Sequence, residues 1–292
     1  MSQAEPSGPA MKSVETNGIR LSVAGAGPAD GPPVVLLHGF PEPWFCWRHQ
    51  IGPLAEAGFR VLAPDQRGYN DSDRPEPVSA YSLNVLADDI LGLLDAEAGP
   101  GAALVGHDWG GIVAWWVAMH HPGRIRKLVI LNAPHPVAMR KYIRTHPSQL
   151  LKSWYVFMFQ IPGLPEMGFR RANWKSLCRG LQKTSRPGTF SEADLDRYRE
   201  AWSKPGAMRS MINWYRALLR RPPAPPADPR IKVPTLILWG PDDRFINAEV
   251  ADASLAYCDS GRLERIDGAT HWVQHEEPER VNRMMIEFLT RG

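Results

Sequence analysis

The sequence predicts an α/β protein: a mostly parallel central sheet flanked by helices, with one helical segment inserted between its strands. Three observations carry that prediction. Short apolar runs broken by at most one polar residue, the mark of strands buried on both faces, recur at Val34–Leu37, Phe59–Pro64, Lys127–Leu131 and Thr235–Trp239. Between such runs lie stretches with apolar residues at helical spacing, such as Leu83, Leu86, Ile90, Leu93 and Leu94. From Pro134 to Arg221 the strand pattern disappears, and segments rich in Trp, Tyr, Phe and Met alternate with breakers such as Ile161-Pro162-Gly163, which reads as a helical insertion.

Met1–Ala10 is small and polar and reads as lying outside the ordered domain. Lys12–Ala26 reads as two short strands joined at Asn17-Gly18, a hairpin signal. The run Val34–Leu37 ends in His38-Gly39-Phe40-Pro41, and the aromatic segment Glu42–Arg48 enters a helix that stops near Gly58. Phe59–Pro64 is the next buried strand, closed by the polar turn Asp65–Asp73. The Leu83–Leu94 helix then crosses over to a strand beginning at Ala102, and a tight turn sends a second helix on to Pro122-Gly123. After strand Lys127–Leu131 and the insertion, Pro222–Pro226 returns the chain as a stiff linker. Thr235–Trp239 and Arg262–Ile266 read as two more buried strands, and Pro278–Leu289 as a closing amphipathic helix with proline near its first turn. The expected division is a core of residues 1–133 and 228–292, with a helical cap of residues 134–227 inserted after the sixth strand.

Composition narrows the function classes. The formal charge of +3 has no dense Lys/Arg block behind it, so nothing calls for nucleic acid. No apolar run approaches roughly 18 residues and no signal-peptide pattern opens the chain, so the expectation is a soluble cytoplasmic protein with no membrane partner, as monomer or homodimer. Three cysteines at unrelated spacings (Cys46, Cys178, Cys258) read as free thiols in a reducing compartment. Several of the eleven Trp fall between residues 154 and 214, which points to an apolar pocket or its lid.

The chemistry is concentrated in Gly106-His107-Asp108-Trp109-Gly110, which has the spacing of a G-x-S-x-G nucleophile elbow with aspartate in place of serine. A plain glycine-rich βα turn with Asp108 as helix cap is the simpler reading of this segment alone. The partners downstream argue otherwise. A carboxylate follows a later strand in Trp239-Gly240-Pro241-Asp242-Asp243, and a histidine follows the last one in Gly268-Ala269-Thr270-His271-Trp272. Asp243 is the candidate acid, with Asp242 its close rival, and the loop after Leu131 offers only Asn132. His271 and His275 stand four apart, but no H-E-x-x-H pattern or third ligand accompanies them, so no metal is expected.

Over almost its whole length the chain resembles the epoxide hydrolases of the α/β-hydrolase fold, relatives of the haloalkane and haloacetate dehalogenases. The resemblance rests on His38-Gly39-Phe40-Pro41 with Glu42-Pro43-Trp44 and Trp47-Arg48-His49-Gln50, on Asp65–Asp73, on Gly106–Gly111, and on His271-Trp272. It implies two cap tyrosines. Ser153–Glu166 and Asn213–Ala217 look like the two tyrosine segments, which assigns Tyr155 and Tyr215. It further implies Asp108 as nucleophile, His271 as base oriented by Asp243, and the backbone N–H groups of Phe40 and Trp109 as an oxyanion hole. Phe40, Pro41, Trp109, Met158 and Trp272 are the expected substrate contacts. The implied reaction opens a small apolar epoxide with water to a vicinal diol, with no cofactor. A dehalogenase is the neighbouring alternative, but haloalkane enzymes usually carry Asn where Phe40 stands and haloacetate enzymes Arg where Trp109 stands. A non-catalytic ligand-binding member of the fold is the alternative from another class, and the complete set of expected side chains argues against it.

Overall fold

The structure, a computed structural model, describes residues 8–99 and 101–291. Residues 1–7 lie outside the described residues, and with them most of the Met1–Ala10 stretch expected outside the ordered domain. Its last residue departs from that expectation, because Ala10 opens the first strand.

β1 (Ala10–Thr16) and β2 (Ile19–Ala26) form an antiparallel hairpin. Asn17 at φ 43° and Gly18 at φ 72° make its turn, a left-handed pair that Asn-Gly adopts with little strain. β3 (Pro33–Leu37), β4 (Arg60–Pro64), β5 (Ala102–His107), β6 (Ile125–Leu131), β7 (Thr235–Trp239) and β8 (Gly261–Arg265) complete an eight-stranded sheet. The order is β1-β2-β4-β3-β5-β6-β7-β8, antiparallel from β1 to β4 and parallel from β4 to β8.

Alternate side chains of each inner strand leave on opposite faces and found two apolar clusters. Val35 and Leu37 join one, with α2 (Leu83–Leu93) and α3 (Trp109–His120) packed over them; Val34 and Leu36 join the other, beneath α1 (Arg48–Glu56). Arg262–Ile266 departs from the expectation of a buried strand. β8 is the sheet edge, with Gly261, Arg262 and Arg265 exposed, and its hydrophobic signal comes from Leu263 and Ile266 alone.

Seven helices separate β6 from β7: α4 (Pro136–Thr145), α5 (Pro147–Lys152), α6 (Trp154–Met158), α7 (Leu164–Arg170), α8 (Lys175–Thr184), α9 (Glu192–Ser203) and α10 (Ala207–Arg220). After β7 come α11 (Glu249–Leu255), α12 (Val273–Glu276) and α13 (Pro278–Thr290), the last packing beside α1. Buried polar contacts fasten the insertion to the strand ends. Tyr198 donates to Glu42 Oε1 (2.7 Å), Trp202 Nε1 to the Pro41 carbonyl (2.6 Å) and Trp214 Nε1 to the Arg67 carbonyl (3.0 Å).

Packing is close where α3 passes β3. A Cβ on Gly110 would fall on the Leu37 carbonyl, and both backbones are held by their own ladders. Gly110→Ala is therefore expected to destabilise the fold by about 3 kcal/mol, the upper end of what overpacking costs, read as a lowered urea midpoint. A midpoint within error of the parent's would show that α3 has room to shift.

Candidate active site

β5 ends at His107, and the chain reverses at Asp108, whose φ of 50° lies in the left-handed region. Holding a non-glycine residue there costs about 1–3 kcal/mol and sets its side chain clear of both strand and helix. The Asp108 carboxyl reaches the turn after β3. Phe40 N–H donates to its Oδ1 at 2.8 Å, and Gly39 lies so close that a Cβ would strike the Asp108 carboxyl group.

The second oxygen, Oδ2, lies 3.6 Å from His271 Nε2. His271 follows β8, and its Nδ1 bonds Asp243 Oδ2 at 2.8 Å. Asp243 follows β7 and is fully enclosed: Oδ1 accepts the N–H groups of Phe245 (2.7 Å) and Ile246 (3.0 Å), and Oδ2 accepts Asn132 Nδ2 (2.8 Å). Asp242, its rival in the sequence, is exposed. Burial opposes a charge on His271, but Asp243 and Asp108 at its two nitrogens outweigh burial and raise its pKa to about 10. Burial likewise opposes ionised Asp243, whose pKa is nonetheless lowered by His271 and the surrounding donors.

Tyr155 on α6 and Tyr215 on α10 stand with ring centroids 5.9 Å apart, and Tyr215 meets Phe40 edge-on at 5.3 Å. Burial, with the Asp108 charge nearby, pushes both phenols well above their ordinary pKa, so both keep their proton. A cavity of about 620 Å³ joins these groups. Asp108, His271, Tyr155, Tyr215, Phe40, Pro41, Met158 and Trp272 all line it, with Phe159 and Phe245 between them. Trp109 does not. The ring expected among the substrate contacts packs edge-on against Tyr215 (5.0 Å) and Trp214 (5.6 Å), outside the lining.

Residues 32–278 match the family model described as alpha/beta hydrolase fold. The chain belongs to the α/β hydrolases. This hydrolase is 45% identical to the AB hydrolase superfamily protein YfhM of Bacillus subtilis, over 94% of its own chain and 96% of that protein. It is 36% identical to epoxide hydrolase 2 of Caenorhabditis elegans, over 95% of its own chain and 79% of the relative. Among solved structures, a mutant of an epoxide hydrolase from Bacillus megaterium superposes with a TM-score of 0.87 at 30% identity, covering 96% of this chain and 100% of that one.

Several residues of this α/β hydrolase's site went unassigned in the sequence. Asn132, set aside there because it is not an acid, bonds Asp243 and both accepts from Gly240 N–H and donates to the Gly240 carbonyl, so it ties the end of β6 to the loop after β7. Its only sequence signal is its position directly after a buried strand. His107 Nε2 bonds the His271 carbonyl at 2.8 Å, and burial lowers the His107 pKa to about 4, leaving the ring neutral. Phe245 sets its ring 5.0 Å from that of His271. His275 does not join His271 as a second ligand; its Nε2 lies 2.8 Å from Glu42 Oε1.

The raised pKa of His271 has a consequence for stability. Its folded value of about 10 exceeds the unfolded value near 6.5, so its contribution is complete below pH 6.5 and is lost as pH rises through about 10. His271→Gln is expected to flatten the fall of the urea midpoint over that window. An unchanged slope in the variant would place the titration elsewhere.

Proposed function

We propose that this α/β hydrolase opens small apolar epoxides to vicinal diols, with residues 134–227 acting as a cap over a core of residues 1–133 and 228–292. One observation carries the reading: a carboxylate at the elbow faces two protonated phenols across a single apolar cavity. The names of its relatives point the same way.

In the proposed first step Asp108 Oδ2 attacks an epoxide carbon, the C–O bond breaks, and an alkyl-enzyme ester forms. Tyr155 and Tyr215 hydrogen-bond the departing oxygen, and one gives it a proton. Esterification removes the Asp108 charge that helped hold the proton on His271. The imidazole then yields that proton to restore the phenol and becomes a base. Oriented by Asp243, it takes a proton from water, which attacks the ester carbonyl carbon of Asp108. The oxyanion develops on Oδ1, the atom that already accepts from Phe40 N–H, with Trp109 N–H as the second proposed donor. Each such donor is worth on the order of 3 kcal/mol of barrier. Collapse of this intermediate releases the diol and returns the proton through His271. Phe40, Pro41, Met158 and Trp272 shape the apolar part of the substrate site; Trp109 acts on substrate through Tyr215 and its own backbone.

Incubation with a panel of aryl and alkyl terminal epoxides is expected to give diols. Halide release from haloalkanes with no diol from any epoxide would overturn the reading in favour of a dehalogenase. In His271→Gln the ester should accumulate, seen by intact-protein mass spectrometry as an increase equal to the substrate mass; diol formation at the parent rate with no adduct would remove His271 from the second step. Tyr155→Phe with Tyr215→Phe should slow ring opening by about 100-fold or more, and far beyond either single change, because one phenol still protonates the alkoxide. An active double variant would strip the tyrosines of that role.

A further inference from the structure

The outer side of α5, α6 and α7 is apolar. Of nine large hydrophobic side chains exposed among the described residues, seven fall between residues 150 and 167, with Leu151 at 75%, Met167 at 63%, Trp154 at 62% and Phe157 at 54%. One exposed leucine needs no explanation, but so many along 18 residues mark a contact surface. The charge around them is one-sided. Residues 140–180 hold eight Lys and Arg against one acid, Glu166, which is taken by Arg216 at 2.6 Å. Arg170, Arg171, Lys175 and Arg179, directly beyond the apolar stretch, are exposed and lie within ion-pair distance of no carboxylate among the described residues.

We infer that this face docks on an anionic lipid surface, the apolar side chains entering the interfacial layer and the cations meeting lipid phosphates. Short amphipathic segments with an aromatic and aliphatic face and a cationic border bind membranes in this way. No helix among the described residues is long and apolar enough to cross a bilayer, and the proposed contact is with the lipid surface. It departs from the sequence-based expectation of no membrane partner, which rested on the lack of a spanning segment and of a signal-peptide pattern. A second copy of the chain suits the face poorly, since facing copies would set one unpaired cationic border against another. Leu151 and Trp154 also line the cavity that holds Asp108, so the docked face opens onto the site. An apolar substrate dissolved in lipid then reaches Asp108 without crossing bulk water. That passage rests on the epoxide reading, whereas the docking does not.

The test is sedimentation of the full chain with phosphatidylcholine vesicles, with and without phosphatidylglycerol. Binding is expected to the anionic vesicles and to weaken with salt. Reversing Arg170 and Arg171 to Glu should cut it by roughly five-fold per cation or more. The triple change Phe157→Ser, Leu164→Ser, Met167→Ser touches no cavity-lining residue and should abolish binding with the circular dichroism spectrum unchanged. Three outcomes overturn the proposal: no sedimentation of the parent with anionic vesicles, a triple variant that binds as the parent does, or a dimer dispersed by the triple change in the absence of vesicle binding. Vesicle binding by a protein that hydrolyses no epoxide would leave the docking standing and remove the epoxide reading alone.

Discussion

The backbone reversal at Asp108 is the constraint from which the site is built. A left-handed aspartate is unfavourable by itself, so the surrounding structure must hold it. β5 does so from between β3 and β6, and α3 does so by being buried on nearly every side, with Val113, Ala114, Trp115 and Val117 all inaccessible or almost so. The same reversal sets the Asp108 carboxyl above the carboxyl end of the sheet. The groups that the sheet supplies to the site come from the ends of other strands: Phe40 after β3 and His271 after β8 stand beside Asp108, with Asp243 after β7 and Asn132 after β6 behind His271. This is where an open parallel sheet places ligands, for the same topological reason.

Bringing two carboxylates and an imidazole together out of water is costly unless each is paired. The site satisfies Asp243 four times, through two backbone N–H groups, Asn132 and His271. Asp108 is treated differently. It has one firm backbone donor, and its other oxygen stands 3.6 Å from His271, longer than a good hydrogen bond. One carboxylate is thereby immobilised and the other is left available to react, a contrast produced by burial and hydrogen-bond count and not by residue type.

Much of this was legible because it is local. Buried runs of strand length, a glycine-flanked turn and the Asp243 and His271 loops each occupy a few adjacent residues, and the strands they follow could be placed from the same pattern. Tyr155 and Tyr215 were legible only through resemblance, since aromatic residues at helical spacing look the same whether they pack or bind. Asn132 acts on Asp243 across 111 positions of sequence, and no periodicity records that. The position of the Trp109 ring depends on how Tyr215 and Trp214 arrive from α10, and the exposure of β8 depends on its being last in the sheet. The apolar outer face escaped for a related reason: in a short helix, an inward and an outward apolar residue differ only in what the rest of the chain brings against them.

The two tyrosines illustrate how the insertion can be apolar outside and ordered inside. α10 is long and buried over most of its length, and Trp214 fastens it to the Arg67 carbonyl, so Tyr215 is positioned by the core. α6 has five residues, none of them fully buried, and so gains little from its own packing. Its order is borrowed. Gln160 donates to the Tyr215 carbonyl at 3.1 Å, and Arg216 reaches back to the carbonyls of Phe159 (2.9 Å) and Ile161 (3.0 Å) while pairing with Glu166. Those bonds make the end of α6 a rider on α10. The separation of Tyr155 from Tyr215 is therefore fixed by polar contacts within the insertion, while the outer surface of α6 carries no structural duty and is free to be as apolar as a contact surface requires.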